Sequence, residues 1–246
     1  MNAVNSSKAL YMPKSFQTTE SNKTGSWRFL KPRYEDKTSP CSEACPAGED
    51  IAMIEMLASQ GLFKEAWETI LRENPLPGIC GRVCFHPCED SCNRKPFDSP
   101  IAIHSLERFL ADTAARNDLK HALQKLPQKP QKIAVVGSGP AGLSAAWFLS
   151  LLGYACDVYE SAPEAGGILR WGIPEYRLPL NILKSEITRI ESLGVNIITN
   201  RPVSESDIVE LGKSYSDAFL GCGYGKGSPL GIPGENSGAV IDGLSF

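Results

Sequence analysis

Six of the eight cysteines fall between positions 41 and 92. They form two runs, Cys41–Cys45 and Cys80–Cys84–Cys88–Cys92, and each step within a run skips three residues. Thiolates converging from short loops are the usual ligands of iron–sulfur clusters, four to a cluster. Zinc also takes four thiolates, but typically through C-x2-C knuckles, and none occurs here. A disulfide framework belongs to oxidising compartments. The polar N-terminus MNAVNSSKAL has no secretory apolar core, so the expected location is the cytoplasm and the expected role of the cysteines is metal binding. Iron–sulfur is the leading expectation, with zinc or structural thiols as alternatives. The Cys45-Pro46 pair favours the first. His86, inside the second run, reads as a surface or hydrogen-bonded residue rather than a ligand. Cys156 and Cys222 stand apart and read as buried apolar residues rather than a redox pair.

The second chemistry-bearing stretch runs from Lys132 to Glu160. Ile133 to Val136 is short, apolar and β-branched, as a buried parallel strand should be. Gly137-Ser138-Gly139-Pro140-Ala141-Gly142 follows and leads into a helical pattern ending near Leu152. A second short strand, Cys156 to Tyr159, closes on Glu160. In this order the first glycine permits the tight turn, the second admits a pyrophosphate, and the third lets helix and strand pack closely. The helix N-terminus offers free N–H groups to the phosphates, and Glu160 is placed to accept from a ribose. A dinucleotide site is therefore expected here.

The elements that must position these residues are legible in outline. Residues 1–38 read as a flexible segment and 39–124 as a helical cysteine-bearing domain. Residues 125–131 (KLPQKPQ) read as a linker, and 132–246 as a Rossmann-like domain. Helices are expected from Asp50 to about Leu57, from Leu62 to Leu71 and from His104 to Asn117. Pro87 argues against one continuous helix through the four later cysteines, so short turns are expected there. Beyond Glu160, the Gly- and Pro-rich stretch 161–179 suits a loop over a flat ligand. A helix is expected at 180–193, a strand at 195–199, a helical turn at 207–211 and a buried strand at 218–223. The formal net charge of −3 is small, which gives no support to a nucleic-acid partner. The longest apolar helical stretch is too short to span a bilayer.

From about Gly25 onward the chain resembles the N-terminal half of the NADPH-dependent glutamate synthase small (beta) subunit. The same module occurs in dihydropyrimidine dehydrogenase and in related electron-bifurcating ferredoxin–NADP oxidoreductases. The resemblance rests on Cys41-x3-Cys45-Pro46, on Gly81-Arg82-Val83-Cys84-x3-Cys88-x3-Cys92 and on Val135 to Gly142. It rests also on Gly166-Gly167-Ile-Leu-Arg-Trp-Gly172-Ile-Pro174-Glu-Tyr-Arg177-Leu-Pro179 and on Leu230-Gly-Ile-Pro-Gly-Glu235. It implies an α-helical iron–sulfur domain followed by an α/β Rossmann-like FAD-binding domain, here its first part only. FAD would then meet Gly137, Ser138, Gly139, Pro140, Ala141, Gly142 and Glu160, and, from the following loop, Gly167, Leu169, Arg170, Gly172 and Arg177.

By the same resemblance, Cys45, Cys84, Cys88 and the residue at position 107, Glu107, would hold one 4Fe–4S cluster. A second would use Cys41, Cys92 and two further cysteines upstream of Cys41 that this sequence lacks, with Cys80 as a partial substitute. One cluster is expected and two are conceivable. Electrons would run between NAD(P)H, FAD and cluster to a redox partner subunit or domain. No second glycine-rich fingerprint follows, so the NAD(P)H site itself is not expected in this chain. The alternative expectation is a non-catalytic adaptor that binds FAD and one cluster and docks to a redox enzyme.

Overall fold

The computed structural model describes residues 37–225 and 227–243. The expected flexible segment lies, but for its last two residues, outside the described residues. The cysteine-bearing half is helical: α1 (Pro40–Ala44), α2 (Ile51–Ser59), α3 (Phe63–Leu71), α4 (Pro77–Val83), α5 (Pro87–Asp90) and α6 (Ile103–Arg116). Each short helix has a local cause. Ser39 caps α1 and Asp50 caps α2 through their side-chain oxygens. Pro77 and Pro87 open α4 and α5, where a missing N–H costs nothing. Pro87 thus ends the cysteine helix as expected, and the break falls at Cys84–His86.

The second half is a parallel sheet with helices. β1 (Lys132–Val136), α7 (Pro140–Leu151), β2 (Ala155–Tyr159), α8 (Ile168–Trp171), α9 (Leu180–Glu191), β3 (Asn196–Ile198), α10 (Glu205–Ser214) and β4 (Asp217–Leu220) follow in order. The strands lie in the order β3-β2-β1-β4, all parallel. Val136 is in register with Tyr159 on one side and Leu220 on the other. Helix α7 buries Gly142, Leu143, Ala146, Trp147 and Ser150, a stripe at helical spacing facing the sheet. On the opposite face, buried Asp157 accepts from Lys132 and Tyr215, each at 2.5 Å, and from Asn196 at 3.2 Å.

Three sequence expectations change. The strand after Ser216 is not buried: every residue of β4 is exposed. Its composition is that of a buried strand, but it sits at the sheet edge with β1 as its one neighbour. The loop after Glu160 contains a helical turn, α8. The turn expected at 207–211 is a ten-residue helix, closed by a Ser204–Asp207 capping box.

One buried apolar cluster runs through both halves, from Ile54, Trp67, Ile70 and Leu110 to Val135, Leu143, Trp147, Leu183 and Ile190. The residues between them are not a free tether. Leu119 and Leu123 pack on this cluster, and the N–H groups of Leu126 and Lys129 donate to Leu151 and Gly153 at 2.8 and 2.9 Å. Among the described residues no helix is long and apolar enough to cross a membrane.

Packing of α4 on α6 leaves no room at Gly81, where an added Cβ would lie 2.7 Å from the backbone nitrogen of Arg108. Gly212, in the interior of α10, faces open space. Gly81→Ala is expected to destabilise the fold by about 1–3 kcal/mol through overpacking. Gly212→Ala should stabilise α10 by about 0.5–1 kcal/mol through helix propensity. Denaturant unfolding of both variants checks the pair.

Candidate metal centre and dinucleotide cradle

The cysteines reach their places through the helix ends. Cys41 lies in α1 and Cys45 is its C-cap; Cys80 lies in α4 and Cys84 is its C-cap; Cys88 lies in α5. Cys88 packs with Ile51 and Ile103 in a small buried cluster against which Cys41, Cys45 and Ile101 also lie. Cys88 feels the charge of both Cys45 and Cys84, and Cys80 that of Cys84. The structure therefore gathers Cys45, Cys84 and Cys88, the expected cluster set, with Cys41 beside them and Cys80 next to Cys84. Cys92 closes the α5 turn, its sulfur accepting the Ile101 N–H at 3.5 Å. All eight cysteines are free thiols. Cys156 is buried in β2, as expected, whereas Cys222 is exposed: it follows the open edge strand, which covers nothing.

Glu107 is buried, 8% exposed, and lies beside Cys80. Its carboxylate accepts from Asn74 Nδ2 at 2.9 Å, and the same nitrogen donates to Glu49 at 2.8 Å. Asn74 Oδ1 meanwhile accepts the Leu76 N–H at 2.9 Å and the Cys80 thiol at 3.7 Å. Glu49 and Asn74 are functional candidates that the sequence does not announce. Each stands next to a helix-start or proline signal and looks like a turn residue.

Two carboxylates around one amide have electrostatic consequences. Burial, then the charge of Glu49, pushes the Glu107 carboxyl far above the usual carboxylate range. Burial raises Glu49 against the hydrogen bond from Asn74. Burial likewise raises Cys45 and Cys80, and pushes Cys88 up to about 12. Without a cation nearby, these thiols hold their protons.

The donor set suits an iron–sulfur cluster. The thiols come from loops and helix ends, an apolar shell of Ile51 and Ile103 surrounds them, and backbone N–H groups point at sulfur. The His86 N–H donates to Cys84 Sγ at 3.4 Å, and Ile101 does the same for Cys92. Such donors set cluster potentials. Among the described residues no three His, Cys, Asp or Glu converge on a point fit for a single ion. His86 is part-buried and its ring packs against that of His104, with centroids 3.5 Å apart and planes tilted by 47°. Burial, then the neighbouring His86, holds His104 below its ordinary pKa.

The glycine cradle is built as its spacing implies. Gly137 has φ +98° and no space for a side chain, since a Cβ would meet the Gly221 carbonyl at 2.4 Å. A Cβ on Gly142 would fall 1.8 Å from the Gly137 carbonyl, so this glycine sets the approach of α7 to β1. Gly139, the N-cap of α7, is different: its missing side chain would point into open space. That gap, ahead of the free N–H groups of α7, suits a phosphate. Pro140 opens the helix and Ala141 follows it.

Ser138 and Glu160 are interlocked. Glu160 accepts from the Ser138 N–H at 2.9 Å, from the Ser138 hydroxyl, from the Ala162 N–H at 2.8 Å and from Ser161 Oγ at 3.2 Å. The Ser138 hydroxyl in turn accepts the Gly166 N–H at 3.1 Å. Glu160 thus holds the glycine turn and the next loop together. Burial alone would raise its carboxyl, but these hydrogen bonds outweigh burial and hold it below the ordinary range.

The loop folds back on the cradle at Gly167, whose Cβ would lie 2.7 Å from the Gly139 Cα. Leu169 anchors it in the core. Gly172 ends α8 against Ile168. The Arg170 guanidinium is committed to its own loop, to the Ala165 carbonyl at 2.8 Å and Glu164 at 2.9 Å. Arg177 is exposed and close enough to His104 to depress its pKa. The dinucleotide loop and the cysteine turn are therefore neighbours.

Residues 23–119 match the family described as dihydropyrimidine dehydrogenase domain II, 4Fe-4S cluster, and residues 135–180 match an NAD(P)-binding Rossmann-like domain. The helical half is thus similar to an iron–sulfur domain of dihydropyrimidine dehydrogenase, and the sheet half is similar to a Rossmann-like domain. Over 210 residues it is 40% identical to the NADPH-Fe(3+) oxidoreductase subunit beta of Geobacter sulfurreducens, covering 84% of this chain and 31% of that one. It is 36% identical over 233 residues to the NADP(+)-dependent formate dehydrogenase subunit beta of Moorella thermoacetica, covering 85% and 33%. With the NAD-dependent dihydropyrimidine dehydrogenase subunit PreT of Escherichia coli K12 it shares 39% identity over 197 residues, covering 78% and 48%. The chain thus spans between 31% and 48% of the length of these relatives.

A carboxylate held below its ordinary pKa stabilises the fold fully above the unfolded value, about 4.5 for glutamate, and loses that contribution as pH falls through the folded value. Glu160→Gln puts an amide donor against N–H donors and is expected to cost on the order of 1–3 kcal/mol at pH 7. The gap between wild type and variant should narrow below about pH 4.5. Urea unfolding at pH 7, 5 and 3.5 measures it.

Proposed function

We propose that this chain is the flavin and iron–sulfur electron-transfer module of an NAD(P)H-dependent oxidoreductase, of the glutamate-synthase-beta-like kind. The reading is carried by the rigid coupling of its two sites. Helix α4, which bears Cys80 and ends at Cys84, is fastened to α9 of the dinucleotide half, the Gly78 N–H donating to Glu186 at 3.2 Å. Electron transfer needs centres held at fixed separation, and a shared core supplies that.

In this reading FAD occupies the cradle. The α7 N-terminus and the open side of Gly139 take its pyrophosphate, while Gly167 and the Gly172–Arg177 stretch border the flavin. Bound flavin supplies the exchange between hydride and single electrons, and the protein supplies position and potential. Ser138 and Glu160 keep the turn in shape, and no side chain is needed as a general base. Cys45, Cys84 and Cys88 hold one 4Fe–4S cluster, with the Cys80–Glu107 side next to them. Glu49 and Asn74 form its polar backing. The names of the relatives, subunits of NADPH-Fe(3+) oxidoreductase and of formate and dihydropyrimidine dehydrogenases, support a redox partner as the destination of the electrons.

Anaerobically purified protein should contain one FAD, with about four irons and four acid-labile sulfides per chain. Cys45→Ser and Cys88→Ser should each abolish the iron, while Cys156→Ser leaves it unchanged. Iron and flavin assays check this. Zinc without sulfide, or iron retained in Cys88→Ser, would sink the assignment.

A further inference from the structure

The turn between Cys84 and Cys88 is held in an unusual way. His86 has φ +56° and ψ +53°, a left-handed conformation that non-glycine residues avoid. That conformation presents its N–H to Cys84 Sγ at 3.4 Å. Phe85 does not hold the turn, since it is 95% exposed. What touches the His86 side chain is the ring of His104, at 3.5 Å between centroids. Neither ring's Nε2 has a hydrogen-bond partner, although both are buried, so no polar link joins them and the contact is one of shape. His104 is itself fixed, its backbone N–H donating to Glu89 of α5 at 3.0 Å.

We propose that His104 is a positioning residue for the metal centre: by packing its ring against that of His86 it keeps His86 left-handed and aims the His86 amide at the Cys84 sulfur. This rests on the iron–sulfur reading above. Reducing a cluster adds negative charge to its sulfurs, and an N–H donor stabilises that charge, so the amide raises the potential of the centre. In that step the cluster would gain one electron and the reduced flavin would lose one, and no bond to either histidine forms or breaks. Nothing in the sequence marks the pair, because His86 precedes α5 and His104 lies 18 positions on, in α6.

The test is an anaerobic redox titration of the cluster, followed by electron paramagnetic resonance, in wild type and four variants. His86→Ala and His104→Ala remove the ring contact and relax the turn. Each should shift the midpoint negative by about 59 mV, a tenfold change for a one-electron couple. His86→Gly adopts the left-handed turn without strain, and His104→Phe keeps a flat ring, so both should shift by less than half as much. An unchanged midpoint in either alanine variant overturns the proposal. So does a shift in His86→Gly or His104→Phe as large as in its alanine counterpart. If the alanine variants lose iron while the other two keep it, the proposal stands; loss from all four overturns it. A wild type with no reducible iron–sulfur signal overturns instead the electron-transfer reading beneath it.

Discussion

The structure depends on one buried interlock between its halves. Glu186 and Arg189 of α9 form an ion pair whose side chains are 5% and 13% exposed. The pair reaches across to the start of α4: Glu186 accepts the Gly78 N–H, and Arg189 donates to the Pro75 carbonyl at 2.5 Å. The guanidinium also lies within 6 Å of the Trp67 and Trp147 rings, one from each half. A buried ion pair adds little net stability, because desolvation offsets its attraction. Its value is geometric, since breaking it would strand a charge in the core. Sliding one half against the other carries that penalty, so the cysteine helices and the glycine cradle keep a single relative placement. Gly78 is part of the fit: a side chain there would meet Glu186 Oε1 at 2.6 Å.

What was legible in the sequence was what local physics decides. Ile133–Val136 and Gly137–Gly142 predict strand, turn and helix because each residue acts on its own backbone. Pro87 ends the cysteine helix for the same reason. What stayed hidden depends on partners distant in the chain. Glu49, Asn74 and Glu107 meet across 25 and 33 positions, and nothing in CPAGED or RENPLP announces that they share a hydrogen bond. The strand at 217–220 has a buried composition, yet burial is a property of neighbours, and β4 has β1 alone. Glu160 illustrates the limit from the other side. Spacing places it at the end of β2, but its four donors come from its own loop and from Ser138, which gives it a structural part that spacing cannot reveal.

The cysteine half carries a chemical imbalance that its fold alone does not resolve. Glu49 and Glu107 are buried about one Asn74 amide, and Cys45, Cys80 and Cys88 are held protonated by burial. An interior of this kind resists further negative charge. Ionising three or four thiols here is favourable only if strong positive charge arrives with them, so metal uptake and thiol deprotonation must be one event. The neighbouring groups pull both ways: Glu107 and Glu49 add their charge to the cost of ionising Cys80, while the amides of His86 and Ile101 face the sulfurs of Cys84 and Cys92. The desolvation that makes these thiols hold their protons would therefore also weigh against a cation that brings too little charge to displace several protons at once.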